Sequence, residues 1–190
     1  FVEKPICYFE EEAKHIYKML KAKPKLKFSS NLILRKYERF IDLRQKIRSD
    51  ELGELSFISG AYNYGRLKKI TEGWRSKMNF YSGVISGGIH IIDLMLWLTN
   101  QKITEVFSYG NNIQSKNSDF KYDDMIVATM KFSSGMVGSL NVNLGCVHPH
   151  FHSLELYGTH ASFINDFNYA KFYNSRDSKN INDNMLLNPN

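Results

Sequence analysis

Cysteine is nearly missing. Cys7 and Cys146 are the only two in 190 residues, and their separation matches no metal-ligand spacing, so the simplest reading is a reduced, cytoplasmic protein. Long apolar runs are missing too: no eighteen consecutive apolar residues occur, which excludes a membrane-spanning helix. The opening residues do not resemble a secretory leader, because Glu3 and Lys4 place charge where an apolar run would have to begin. Phe1 stands first instead of Met, so the chain is expected to be a piece of a longer one. Acid is in deficit, with 19 Asp and Glu against 25 Lys and Arg, a net charge of +6. A basic balance favours anionic partners such as nucleic acid, phosphorylated metabolites or acidic sugars. The basic residues are scattered and no recognition motif accompanies them, so no nucleic-acid partner is expected. Lys21–Lys27 reads as a solvated turn and strand edge.

What is present is apolar and aromatic: 43% of residues are hydrophobic and 14% aromatic, enough for one globular domain with a real core. The chain is organised around Ser82–Leu98. Ile89, Ile91, Ile92, Leu94, Met95, Leu96, Trp97 and Leu98 leave no polar face wide enough for solvent, so a helix here is buried. Only His90 and Asp93 interrupt it, three apart and therefore neighbours on one face. Ser86 is placed to cap this helix, and Gly87-Gly88 lets its first turn approach another backbone or a ligand closely. The His–Asp pair reads in two ways: a core histidine satisfied by a carboxylate, or part of a site.

Elsewhere the spacing predicts a short strand over 1–7 and an amphipathic helix from Glu10 to about Lys21, with Ala13, Ile16, Tyr17 and Leu20 on one face. A strand over 25–34 and a second helix over 36–49, through Tyr37, Phe40, Ile41 and Ile47, come next. A long strand over 52–64 follows, and strands are expected at 103–113, 125–132, 136–144 and 154–164. Ser133–Gly135 has hairpin-turn composition. Strands in direct succession, with helices before and between them, indicate an α+β domain with a largely antiparallel sheet. Residues 175–190 read as a polar tail.

Several segments carry chemistry. Lys4, beside Pro5 at the end of an apolar strand, would have a lowered pKa if buried and could exchange a proton near neutrality; otherwise it is a surface turn lysine. Tyr64, Arg66, Trp74 and Arg75 combine rings that stack on sugar faces with guanidinium forks that fit phosphate or carboxylate; the alternative is a rim of exposed tyrosines and a packed Trp. On a strand, His148, His150 and His152 would share one face. Pro149 argues against a regular strand, so surface histidines are the simplest reading, ahead of a loop at the substrate face, and no metal site is assigned.

Together, Glu3-Lys4-Pro5, the turn over 50–55, Gly73-Trp74-Arg75, the Gly87–Leu98 helix and Leu156–Thr159 resemble, in order and spacing, the Gfo/Idh/MocA oxidoreductases. The resemblance runs from Phe1 to about Asp166. It implies a two-domain enzyme, in which a Rossmann domain binding NAD or NADP precedes a C-terminal domain with an open, largely antiparallel sheet and helices on one face. Residues 1–7 would end the nucleotide domain, and 8–174 would form the substrate and oligomerisation domain. No Gly-x-Gly-x-x-Gly occurs in the right context, so the chain as it stands is expected to be inactive. Carried over by resemblance, Lys4 and His90 match catalytic positions, Glu3, Lys4 and Pro5 lie near the nicotinamide, and Arg66, Tyr64, Trp74, Arg75 and Asp93 are candidates to bind substrate. Many members place an Asp four residues before the histidine, where this chain has Ser86. The implied reaction moves a hydride between nicotinamide and a hydroxyl of a sugar, polyol or nucleotide-sugar. The alternative is a non-catalytic relative that binds a sugar or a partner. The resemblance also implies a homo-oligomer formed through the sheet face and no membrane partner.

Overall fold

Strand β1 (Leu55–Asn63) follows from a pattern in which Ile58, Gly60 and Tyr62 turn inward and the residues between them turn outward. The computed structural model describes residues 1–177 and sets β1 at the centre of a seven-stranded sheet. The other strands are β2 (Ile103–Asn111), β3 (Met125–Phe132), β4 (Val137–Asn143), β5 (Phe151–Gly158), β6 (Ser162–Asn165) and β7 (Ala170–Tyr173). Their order is β2-β3-β4-β1-β5-β6-β7. The β1–β4 pair is parallel and every other pair is antiparallel, giving the expected α+β open sheet.

One face of the sheet carries the core. Ile58, Leu140, Val142, Leu154, Leu156 and Phe163 pack there against Ile91, Leu94 and Met95 of helix α4 (Ile89–Thr99), all within 2% of full burial. Helix and strand can approach this closely because β1 has no side chain at Gly60: a Cβ there would collide with Ile91 and meet the Met95 methyl at 2.9 Å. Asn100, in the left-handed conformation, ends α4 with its N–H on the Leu96 carbonyl. Helix α2 (Glu38–Arg48) adds Phe40 and Leu43 to the same core. Ile41, expected on that face, is exposed, because it lies a quarter-turn from the Phe40–Leu43 line.

Helix α1 (Glu10–Ala22) forms where its periodicity places it but buries no residue; Ile16 and Leu20 are only half-covered. The two strands predicted around it do not form. Residues 1–7 make a single parallel bridge, Val2 to Ser30, and 25–29 is exposed chain that runs through Ser30 into a 3-10 turn at Ile33–Lys36, where Leu34 is buried. Neither segment finds a sheet edge: Leu26 and Phe28 alternate correctly yet lie exposed. The long strand predicted over 154–164 is two strands, broken at Thr159-His160, where Glu54 and Thr159 exchange hydrogen bonds across the turn. The short strand β7 was not anticipated. Most of the predicted polar tail, 178–190, lies outside the described residues.

Candidate active site

Three chain segments meet where β1 ends and α4 begins. A π-helical turn, Val84–Gly88, leads into α4, and Ser82 caps that turn with its Oγ 3.3 Å from the Ile85 N–H. Ser86, predicted as the cap, does something else: its carbonyl accepts a hydrogen bond from Lys4 Nζ, and its hydroxyl lies 3.4 Å from the Tyr8 hydroxyl. Gly87 and Gly88 do allow a close approach. The Tyr62 ring lies against Gly87 where a Cβ would collide with it, and Val142 fills the equivalent place at Gly88.

Around Tyr62 stands a cluster of rings. Tyr64 stacks on it at 5.7 Å between centroids, His152 lies at 5.3 Å, His150 at 5.4 Å and His90 at 6.5 Å. His152 sits 5.6 Å from His90 and 4.9 Å from His150. His90 is 6% exposed, and its Nδ1 is buried without a partner, as is His152 Nε2. Burial, with the Lys4 ammonium next in effect, pushes His90 down to about 4, against a smaller upward pull from Asp93. Burial, reinforced by His150 and His90, pushes His152 to about 3. His150 is lowered by burial and by Arg66. All three imidazoles are therefore neutral at pH 7, and each presents one accepting nitrogen and one donor. Lys4 is itself lowered, by burial and then by Arg75, with Glu3 opposing. Burial raises the Tyr62 phenol above its ordinary value.

His150 and His152 were read most simply as surface histidines. The structure corrects that reading for His152 alone: β5 starts at Phe151, beyond the interruption of Pro149, and carries His152 opposite Tyr62 in the β1–β5 register, while His150 is exposed, as expected, with its ring edge-on to Tyr62 and Tyr64. The signal available in the sequence was the two-residue spacing of His150 and His152, which Pro149 obscured. His148 is exposed and hydrogen-bonds the Pro149 carbonyl at 2.7 Å. Among the described residues no three His, Cys, Asp or Glu side chains are placed to hold a metal ion, and Cys7 and Cys146 are free thiols.

The other candidates divide. Arg66 lies 5.2 Å over the Tyr64 ring, and Arg75 lies 4.5 Å over Trp74, which is 61% exposed. Arg75's charge reaches Lys4, Tyr62 and Tyr81. Asp93 is held by Arg35: both its oxygens accept from the guanidinium, a forked pair that ties the 3-10 turn to α4, and among the described residues it makes no hydrogen bond to His90, on which only its charge acts. Glu3 is exposed and accepts from Asn31 at 3.3 Å. Pro5 lines, with Lys4, Tyr8, Val84, Ile85 and Ile89, an apolar cavity of about 420 Å³.

The fold is thus an open, mostly antiparallel sheet whose buried helix brings a histidine within electrostatic reach of a lysine. The profile of the GFO/IDH/MocA C-terminal domain matches residues 40–164, and the chain belongs to that family. Lys4 lies outside the matched stretch. Similar solved structures include an oxidoreductase domain protein from Kribbella flavida, 17% identical with a TM-score of 0.84, covering 98% of this chain and 55% of that one. Scyllo-inositol dehydrogenase from Lactobacillus casei, with bound NAD(H) and scyllo-inositol, is 19% identical with a TM-score of 0.79, covering 87% of this chain and 49% of that one. Levoglucosan dehydrogenase in complex with NADH and L-sorbose is 17% identical with a TM-score of 0.83, covering 98% of this chain and 54% of that one. The chain thus spans about half the length of these structures, and at such identities the likeness is one of fold. No curated protein matches the chain by sequence.

Proposed function

We propose that this chain is the substrate-binding portion of a cytoplasmic NAD(P)-dependent oxidoreductase acting on a hydroxyl of a sugar, polyol or nucleotide-sugar. In this reading residues 1–7 end the nucleotide domain and the rest forms the substrate domain. The observation that carries the reading is the approach of Lys4, which lines the apolar cavity, to the orphaned, neutral His90 beside the Tyr62 ring cluster. The apolar cavity lined by Lys4, Pro5, Tyr8 and Val84 fits a flat nicotinamide ring, which Glu3, Lys4 and Pro5 would border. Bound nicotinamide would supply the hydride acceptor. His90 has an accepting nitrogen for the proton of a substrate hydroxyl. Lys4, with its charge partly desolvated, is suited to stabilise the oxygen that becomes a carbonyl. Trp74, which is exposed, offers a ring face to the sugar, Arg66 and Arg75 form the rim beside it, and Tyr62 and Tyr64 back the histidines.

One observation favours a second reading. Among the described residues no carboxylate hydrogen-bonds His90: Ser86 occupies the preceding turn and Asp93 is held by Arg35. A non-catalytic sugar-binding or partner-binding relative would look the same here. The two readings separate in a chain that also carries a nucleotide-binding domain. The enzyme reading expects turnover of a sugar or polyol, read as nicotinamide absorbance, and a loss of at least about a hundredfold in kcat on Lys4→Ala. No turnover across sugars and polyols, with ligand binding retained, would leave the non-catalytic reading standing.

A further inference from the structure

A histidine that takes a proton on one nitrogen is oriented, and its cation stabilised, by whatever its other nitrogen bonds. For His90 the usual carboxylate is not there. Ser86 stands one turn earlier with its carbonyl on Lys4, and both oxygens of Asp93 are on Arg35. His90 Nδ1 is buried with no hydrogen-bond partner among the described residues, so Asp93 and Glu3 act on the ring through their charge.

A second imidazole beside it is in the same state. His152 Nε2 is also buried without a partner, and its ring stands 5.6 Å from the His90 ring at 83°. Strand β5 delivers it there, opposite Tyr62 of β1, and Asn165 Nδ2 steadies the strand by donating to the His152 carbonyl at 2.7 Å. Two imidazoles joined nitrogen to nitrogen at a hydrogen-bond length of about 2.9 Å have centres about 5 Å apart. The two rings are therefore near bonding distance as they stand. The torsion that turns a histidine ring is broad and soft, so a small rotation can close the gap. Native interiors rarely leave buried polar atoms unpaired, least of all two complementary ones side by side. His150 lies 4.9 Å from His152, but it is exposed and water can meet its nitrogens.

We propose that His152 is a positioning residue for His90: its Nε2 accepts the Nδ1–H of His90, which leaves His90 Nε2 as the accepting nitrogen. The proposal rests on the reading of His90 as the base, although the pairing itself needs no turnover. In that reaction the proton of the substrate hydroxyl moves to His90 Nε2 while the hydride on the same carbon leaves to the nicotinamide. The imidazolium so formed keeps its Nδ1–H on His152, a neutral acceptor where a carboxylate would otherwise stand.

The test locates the ring protons by long-range proton–nitrogen NMR of this chain at pH 7.5, without ligand. Expected are a proton on His90 Nδ1, none on His152 Nε2, and a coupling between those two nitrogens across the hydrogen bond. In His152→Phe, which removes the acceptor, the His90 proton should pass at least in part to Nε2. His152→Gln, whose amide oxygen can accept, should restore the parent state, and His150→Ala should leave it undisturbed. A parent His90 that carries its proton on Nε2 overturns the proposal, and that observation needs no variant to fold. So does a His90 spectrum that is the same in His152→Phe as in the parent. In a chain that also carries the nucleotide domain, His152→Phe should lower kcat at least about tenfold with KM little changed, and His152→Gln should recover most of the loss. An unchanged kcat in His152→Phe overturns the positioning role. Absence of turnover in the parent would instead count against the enzyme reading, and the tautomers would still decide the pairing.

Discussion

His90 and His152 are held neutral by burial, at about 4 and about 3, against 6.5 for an ordinary histidine. The unfolded chain therefore takes up protons on these rings first as pH falls. Their contribution to stability is complete above about pH 6.5 and is lost below it, down to the folded values. Each ring adds up to about 1.4 kcal/mol per pH unit to that slope. Urea unfolding at pH 7.5, 6 and 5 should show stability falling with acid, and His90→Gln with His152→Gln should flatten the fall. An equal slope in the double variant would mean that other groups drive it. At this scale the sequence made Lys4 and His90 legible, because a lysine beside Pro5 and a histidine in an apolar helix are out of place by composition. His152 was not legible. Its role depends on β5 lying beside β1, a pairing between segments far apart in the chain. The Asp93 partner was hidden for the same reason: Arg35 comes from a turn that no local pattern ties to α4.

Among the elements, the most exacting contact is between α4 and β1. The space for it is made by Gly60, where a Cβ would meet Ile91 and Met95. Gly60→Ala should force the helix outward or twist the strand, and overpacking of this kind typically destabilises by about 1–3 kcal/mol. Because α4 also carries His90, the same variant should weaken sugar binding. A chemical denaturation midpoint equal to that of the parent would show that the helix can retreat freely. Helices with strong periodicity were read correctly from the sequence, α4 above all, whose apolar run admits no other placement. The segments over 1–7 and 25–34 failed as strands, the second although its alternation is sound. Alternation states which way side chains would point, and only a free neighbouring edge makes a strand. Between Gly158 and Ser162 the hairpin was missed because Thr159-His160 lacks the glycine and asparagine turn chemistry that announces one.

On the scale of the whole molecule, the sheet has one covered face and one bare face. The register sets Phe107 and Tyr109 of β2 beside Thr129 and Val127 of β3, with Val137 and Phe57 further across. Phe107, Tyr109, Val127 and Val137 are 61%, 74%, 43% and 48% exposed, and no helix lies over them. An exposed apolar band of this extent is the surface expected to meet a second copy of the chain. We infer self-association through this face. Sedimentation equilibrium should show a dimer or larger species that Phe107→Glu with Tyr109→Glu converts to monomer, with the denaturation midpoint unchanged. A monomer in the parent chain would remove the inference. The composition announces that a core forms, but an antiparallel strand alternates whether its outer face meets water or protein, so alternation alone does not show which residues lie in this band.

The placement of β1 has a consequence in time. Both its neighbours come later: Phe57 pairs with Val137 of β4 in parallel and with Tyr157 of β5. The stretch β2-β3-β4, by contrast, is a meander of near neighbours that can assemble by itself. During synthesis the central strand must therefore wait, unpaired on both edges, until nearly all of the domain has left the ribosome. Its insertion closes the longest loops in the chain, the step that slows folding most. Until then Leu55–Asn63 is the segment that a chaperone, or another nascent chain, would find open.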